Sequence, residues 1–489
     1  MTDYDLIIRG GQVGTSSETF TADVAITGES VVAMGRDLGP AKREIDARGK
    51  WVLPGGVDGH AHIEQLSGMG VMGADTFESA TGAAAHGGTT TVVCFAAQHK
   101  GKSLTKTVED YHVLAKKGAL IDYAFHMILA DPNLRVLKEE LPPLVKSGHA
   151  SIKLFMTYEH TKVDDEQLLE TLVAARENKA MVCVHAENNG MISWMARRLV
   201  ERGYTAPKFH AVHHPRLCES EAFYRLAAFA ELVDQPVIIY HVSTAEGCKV
   251  IREARGRGLK LFAETCTQYL TLTVDDLDKP GLEGAKWICS PPLRQKSDQE
   301  ALWHALEIGD LQFISSDHAP YKMDETGKFR LGKTNPSFKE IANGMPGLEL
   351  RLPLMFDAMV SKGRYGIEKF VEWTSTAPAR MYGLHPKKGT IAIGADADIC
   401  IWDPKKKVTI RDEDVHDNTG FTPYVGRKIE GWPVTVLRRG QVIMEKGKLA
   451  AEPGSGRFLA RQAGAAAVPT GRLSPEFDPK QNFGAKLIS

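Results

Sequence analysis

Between residues 51 and 320 the chain alternates short, apolar, β-rich runs with longer stretches of helical periodicity, and the runs number eight. They are Trp51 to His62, Thr89 to Phe95, Asp122 to Leu129, Ser151 to Tyr158, Met181 to Glu187, Pro236 to Ser243, Lys260 to Cys266 and Leu311 to His318. The stretches between them have the period of a helix, as in Asp165 to Lys179, where Leu168, Leu169, Leu172 and Ala175 share one face. Alternation of this kind marks a parallel α/β fold. Eight units are the number that closes a (β/α)8 barrel. The competing arrangement is an open doubly wound sheet, but no GxGxxG opens any of the helices.

The two ends have a different texture. Residues 4–50 give short runs, Asp5 to Arg9, Ala22 to Ile26 and Val31 to Met34, separated by glycine-containing turns. Residues 389–450 repeat that pattern in Gly389 to Ile393, Asp398 to Trp402, Val408 to Ile410, Thr435 to Arg438 and Gln441 to Glu445. Arms that flank a barrel in sequence can meet in space, because chain termini often lie close together. The expected organisation is α/β: a β-sandwich built from residues 1–53 and 387–452, a barrel over 54–386, and an arm over 453–489. That arm, with Ala463-Gly464-Ala465-Ala466-Ala467, is expected to have little core of its own and to be available as an oligomer contact.

Charge narrows the partners. The 60 Lys and Arg against 61 Asp and Glu leave a net charge of -1, without the basic excess that phosphate binding requires. No apolar run approaches the roughly 18 residues of a membrane span, runs such as Pro236 to Tyr240 falling far short. The opening Met1-Thr2-Asp3-Tyr4-Asp5 is acidic where a secretory signal is basic. A cytoplasmic protein with no nucleic-acid or membrane partner is expected. The seven cysteines lack CxxC spacing and sit mostly in apolar runs, as reduced core thiols do.

Metal-compatible side chains recur at the C-terminal ends of the runs, the end where barrel active sites are built. In Val57-Asp58-Gly59-His60-Ala61-His62 the two histidines are two residues apart, so on an extended chain both imidazoles point to the same side and reach one ion. Later runs supply His185, His241 and Asp317. Each alone would pass as a core or capping residue. Together, on successive runs, they form a constellation. Lys153 stands out because an ammonium inside the apolar strand Ser151-Ile152-Lys153-Leu154-Phe155 costs several kcal/mol unless it is paired or neutralised. A buried lysine becomes a neutral nucleophile. Such an amine can capture carbon dioxide as a carbamate, whose oxygens can bridge two divalent ions.

These residues, with Lys388-Gly389-Thr390-Ile391-Ala392-Ile393-Gly394-Ala395-Asp396-Ala397-Asp398, resemble the amidohydrolase superfamily. Within it the chain is similar to the dihydropyrimidinase and D-hydantoinase family. The likeness runs through Gly87-Gly88-Thr89-Thr90-Thr91, Lys153 to Tyr158, His185-Ala186-Glu187-Asn188 and Ala263 to Leu270, and covers nearly the whole chain. It implies a TIM barrel with a β-sandwich, homotetramers, and hydrolytic opening of a cyclic ureide or imide. It implies two divalent metals, usually Zn2+ with Mn2+ or Co2+ as alternatives, bridged by a carboxylated Lys153. Carried over residue by residue, His60, His62, Lys153 and Asp317 would hold one ion, and Lys153, His185 and His241 the other. Asp317 would shuttle the proton, Tyr158 would donate to the oxyanion, and main-chain groups at Ser290 and Asn343 would hold the ring.

The chain departs from the commonest family wording in Ile63 to Met72, whose Leu66, Met69 and Val71, with Phe155 and Tyr158, are expected to wall a pocket for a ring substituent. Cys94 stands where many relatives carry aspartate, and Glu64 stands where a dihydroorotase would place a carboxylate-binding arginine. Dihydropyrimidine, hydantoin, allantoin and cyclic imide rings all stay open as substrates. The collapsin response mediator proteins resemble this family without its metal site, as scaffolds, but this chain retains every ligand. A single-metal deaminase would not need Lys153.

Overall fold

A computed structural model describes residues 4–330 and 332–487. The first five strands are β1 (Tyr4–Gly14), β2 (Thr19–Thr27), β3 (Ser30–Gly35), β4 (Ala41–Asp46) and β5 (Trp51–Pro54). They join β14 (Ile399–Thr409), β15 (Lys428–Arg438), β16 (Gln441–Glu445) and β17 (Lys448–Leu449) in one mixed sheet, in the order β17-β16-β15-β14-β5-β1-β2-β3 with β4 alongside β1. Parallel pairing of β5 with β1 and antiparallel pairing with β14 stitches the two ends of the chain together. Its core includes Ile8, Val24, Val52, Ile399, Ile401 and Leu437.

The second sheet is the barrel, running from β6 (Gly56–Ala61) through β7 (Thr89–Ala97), β8 (Asp122–Ile128), β9 (Ser151–Phe155), β10 (Met181–His185), β11 (Val237–Ile239) and β12 (Leu261–Cys266) to β13 (Phe313–Ser315). Neighbours pair in parallel, and the ring closes where Ala61 lies beside His318 and the His62 amide donates to the His318 carbonyl at 2.7 Å. Helices between strands cover the outside, among them Asp165–Asn178, which buries Leu168, Leu172 and Ala175 and is capped by Asp164.

Two local readings are corrected. The run Trp51 to His62 is two strands in two sheets, divided at Gly55, where a Cβ would stand 2.2 Å from the Thr90 hydroxyl oxygen, so only glycine lets the chain pass. Gly389 to Ile393 forms no strand. Gly389 and Gly394, at φ 78° and 88°, interrupt the extended chain, and Ile391 is buried in the core of the terminal sheet.

Beyond β17 the chain runs under the barrel. Phe458 packs against Phe125 and His149, and Arg461 is fully buried, donating to the carbonyl of Phe125 at 2.6 Å, to that of Tyr382 at 3.3 Å and to the Ser151 hydroxyl at 2.9 Å. Ser151 in turn bonds His126, whose other ring nitrogen meets the Gly59 carbonyl at 3.0 Å. A polar floor therefore lies beneath the site. All seven cysteines are buried and unpaired. No helix among the described residues is long and apolar enough to cross a membrane.

Candidate active site

Strand alternation decides which side chains enter the barrel. On β9 it puts Ser151 and Lys153 inside, and on β10 it puts Cys183 and His185 there. His60 lies on β6, and His62, Tyr158, His241 and Asp317 sit just past strand ends, where the backbone bends. His241, Asp317 and Tyr158 have φ of 43°, 47° and 74°, a left-handed conformation that residues other than glycine rarely adopt. Such outliers persist where the surroundings over-determine them, and here they cluster at one rim.

The imidazoles are held from behind. His60 Nδ1 is bonded to Glu264, His62 Nδ1 to Gln65 Oε1 at 2.8 Å, and His185 Nε2 to Glu187 Oε2 at 2.7 Å. Glu187 is itself fixed by His214 Nδ1 at 2.7 Å. His60 Nε2 and His62 Nε2 both face Asp317 Oδ1, at 3.0 and 3.5 Å. The His185 and His241 rings lie 4.3 Å apart, and the His60 and His241 rings 5.4 Å apart. Lys153 Nζ is fully buried with no hydrogen-bond partner among the described residues, 4.0 Å from the centre of the Tyr240 ring and 4.9 Å from that of the Phe155 ring.

Burial sets the protonation of this cluster. It pulls the Lys153 amine down to about 8, against the pull of Asp317 and Glu264, and holds His62, His185 and His241 below the usual imidazole range. At Asp317 burial works upward, but the His60 and His62 imidazoles outweigh it and keep the carboxyl well below the carboxylate range. Burial raises the Tyr158 phenol well above its ordinary value, with Ser290 and Asn343 as polar neighbours.

His60, His62, Lys153, Tyr158, His185, His241 and Asp317 all line one cavity of about 190 Å³. Ser290 and Asn343 lie together on its wall, the Asn343 amide donating to the Ser290 hydroxyl at 3.1 Å. Leu66, Met69 and Phe155 form an apolar side. Val71 does not reach the cavity. It is buried behind Met69 against Tyr321 and Ala342, because the loop folds back where Leu66 meets Met72. Shortening Leu66 or Met69 to alanine is expected to change the ratio of kcat/KM between bulky and unsubstituted rings, by roughly 1 kcal/mol for each methylene removed from the wall, at unchanged metal content. An equal loss on every ring, measured by steady-state kinetics, would reduce these side chains to a cover over the barrel mouth.

The sequence matches the amidohydrolase family over residues 51–443. The chain belongs to that family. It is 41% identical to the D-hydantoinase of Ralstonia pickettii over 459 residues, covering 94% of this chain and 99% of that one. It is 43% identical to the D-hydantoinase of Streptomyces coelicolor over 462 residues, 93% of this chain and 97% of the relative. The crystal structure of dihydropyrimidinase from Brevibacillus agri superposes with a TM-score of 0.91 at 41% identity, over 94% of this chain and 99% of that one.

Membership in the amidohydrolase family implies a binuclear metal centre, and the donors present fit one. His60, His62 and Asp317 bring ligating atoms within 4.8 Å of one another. Lys153 Nζ and His241 Nδ1 are buried polar atoms with no protein partner, and such atoms are costly to leave unsatisfied. The outer nitrogens of His60, His62 and His185 rest on carboxylate or amide oxygens, the support usual for imidazoles that bind metal through the other nitrogen.

Sequence reasoning missed Gln65 and Glu264 as supports of the histidines. Glu264 carried a usable signal, since a carboxylate inside the apolar strand Leu261–Cys266 is as anomalous as Lys153 on β9. Gln65 lies in a polar loop stretch and gave none. His210, His213 and His214 form a second imidazole cluster, with His214 touching Glu187.

Proposed function

We propose that this chain hydrolyses the ring amide of 5-substituted hydantoins and 5,6-dihydropyrimidines, releasing N-carbamoyl amino acids, with Zn2+ as its metal. The observation that supports this best is the convergence of His60, His62, His185, His241, Asp317 and the partnerless Lys153 on one cavity of about 190 Å³, the size of a small ring. When bound, divalent ions supply Lewis acidity that activates water near neutral pH and polarises a carbonyl. His60, His62 and Asp317 would hold one ion and His185 and His241 the other. Lys153 would serve both as a carbamate, formed when its neutral amine bonds to the carbon of carbon dioxide and releases a proton.

Asp317 takes the proton of the attacking water and returns it to the leaving ring nitrogen, so one carboxylate acts first as base and then as acid. Tyr158 donates its phenolic proton to the oxyanion that forms on the carbonyl, a role that needs the protonated phenol its burial preserves. Main-chain groups at Ser290 and Asn343 hold the cyclic amide, and Leu66, Met69 and Phe155 receive the substituent on the adjacent ring carbon. Exposed apolar side chains on three neighbouring helices, Trp194, Val212, Leu217 and Tyr224, support assembly of several copies as a homotetramer. The test is a panel of dihydrouracil, dihydrothymine, 5-substituted hydantoins, allantoin and cyclic imides with the zinc-loaded protein. Hydantoins with apolar substituents are expected to give the highest kcat/KM. Preference for allantoin or a cyclic imide would overturn this choice of ring.

A further inference from the structure

Lys328 is fully buried yet faces no carboxylate. Its ammonium donates to the carbonyls of Ile288 at 3.2 Å, Ala342 at 3.0 Å and Gly344 at 2.7 Å. Burial pulls this amine down to about 7, but three carbonyl acceptors around one nitrogen match the ammonium, which has three donors and no acceptor, one proton to each carbonyl. Those carbonyls belong to two loops that are far apart in sequence. Ile288 stands two residues before Ser290, and Ala342 and Gly344 bracket Asn343. The loops meet nowhere by regular pairing. Besides the lysine they share the Gly344 amide on the Ile288 carbonyl at 3.0 Å and the Asn343 side chain on Ser290 at 3.1 Å. The Lys328 backbone grips the second loop as well, its carbonyl accepting from the Ala342 amide at 3.2 Å.

A methionine or leucine would fill the same volume without burying a charge, so the site is built for three donors rather than for packing. The arrangement is also directional. The Ala342 carbonyl shares its peptide plane with the Asn343 N–H, so the lysine fixes that plane directly. The plane of the Asn343 C=O also carries the Gly344 amide, which donates to the Ile288 carbonyl that the lysine holds, and the lysine pins the next plane at the Gly344 carbonyl. The contact at Ile288 acts likewise one peptide upstream of Cys289-Ser290.

We propose that Lys328 is the positioning residue for ring binding, setting the spacing and orientation of the Ser290 and Asn343 main chains so that both engage one cyclic amide. This rests on the reading that those two main chains hold the ring. Because they hold substrate before and during reaction, their displacement raises KM more than it lowers kcat.

The experiment uses the full-length, zinc-loaded protein and compares wild type with Lys328→Met and Lys328→Gln, with a 5-substituted hydantoin and dihydrouracil as probes. Lys328→Met is expected to keep its metal content while KM rises by about 10-fold or more and kcat falls by less than about 3-fold. Lys328→Gln, which keeps two donors, is expected to recover part of that loss. Hydrogen exchange at the amides of residues 288–290 and 342–344 is expected to speed up in Lys328→Met. Wild-type KM in Lys328→Met, or a loss confined to kcat, overturns the proposal. If the methionine variant does not fold, a KM for Lys328→Gln equal to that of wild type overturns it instead. Should the wild type open neither ring, the reading of the ring site fails by itself. The exchange rates then decide alone, and unchanged protection of both loops sinks the role of Lys328.

Discussion

Lys153→Ala is expected to lose the metal pair and to reduce turnover by more than about 10³-fold, since on the proposed reading it removes the side chain that would serve both ions. The amine lies on β9, fully buried and with no hydrogen-bond partner among the described residues, and lines the same cavity as His60, His62, His185 and His241. Nζ lies over the rings of Tyr240, Phe155 and Phe95, at 4.0, 4.9 and 5.7 Å from their centroids, and these rings offer no carboxylate to replace it. Short carboxylates such as acetate or propionate should restore part of the activity by entering the space the side chain vacates and offering two oxygens. Elemental analysis and turnover, each with and without added carboxylate, read the result. Wild-type metal content and turnover in Lys153→Ala would end the carbamate assignment.

Asp317→Asn should behave differently. The amide keeps the shape and one ligating oxygen but cannot accept the proton of the attacking water, so metal is largely retained while turnover falls by about 10²-fold or more. The split between metal content and rate is the discriminating feature. Asp317 is also the carboxylate on which His60 and His62 converge, at 3.0 and 3.5 Å, so some loosening of that pair is expected in the variant. Comparable turnover in Asp317→Asn would rule out the proton shuttle and leave Asp317 a ligand only.

What the sequence made legible follows the length scale of the causes. The period-two alternation of a strand is local, so Lys153 and the pair His60 and His62 could be placed on one side of the chain before any fold was known. The eight apolar runs led to the barrel because parallel strands carry their signal in each unit. The division at Gly55 stayed hidden because β5 and β6 are both extended and nearly wholly buried with a single residue between them, and they part only in which sheet they join, at the point where Thr90 approaches the chain. One member of the expected wall, Val71, is placed elsewhere. Leu66 and Met69 reach the cavity, but the return of the loop that hides Val71 behind Tyr321 depends on packing against a segment far along the chain. Lys328 and Arg461 were invisible for the same reason. Each looks like an ordinary surface cation until the fold closes three distant acceptors around it.

The central claim is metal-dependent opening of a cyclic amide ring, and chelator-stripped protein reconstituted with zinc tests it most directly. Formation of the N-carbamoyl acid from a 5-substituted hydantoin would be followed before stripping, after stripping and after reconstitution, with metal content measured at each stage. The expected result is product that disappears with the metal and returns with it. Full metal occupancy with no ring opened, or an undiminished rate in the stripped protein, would contradict it.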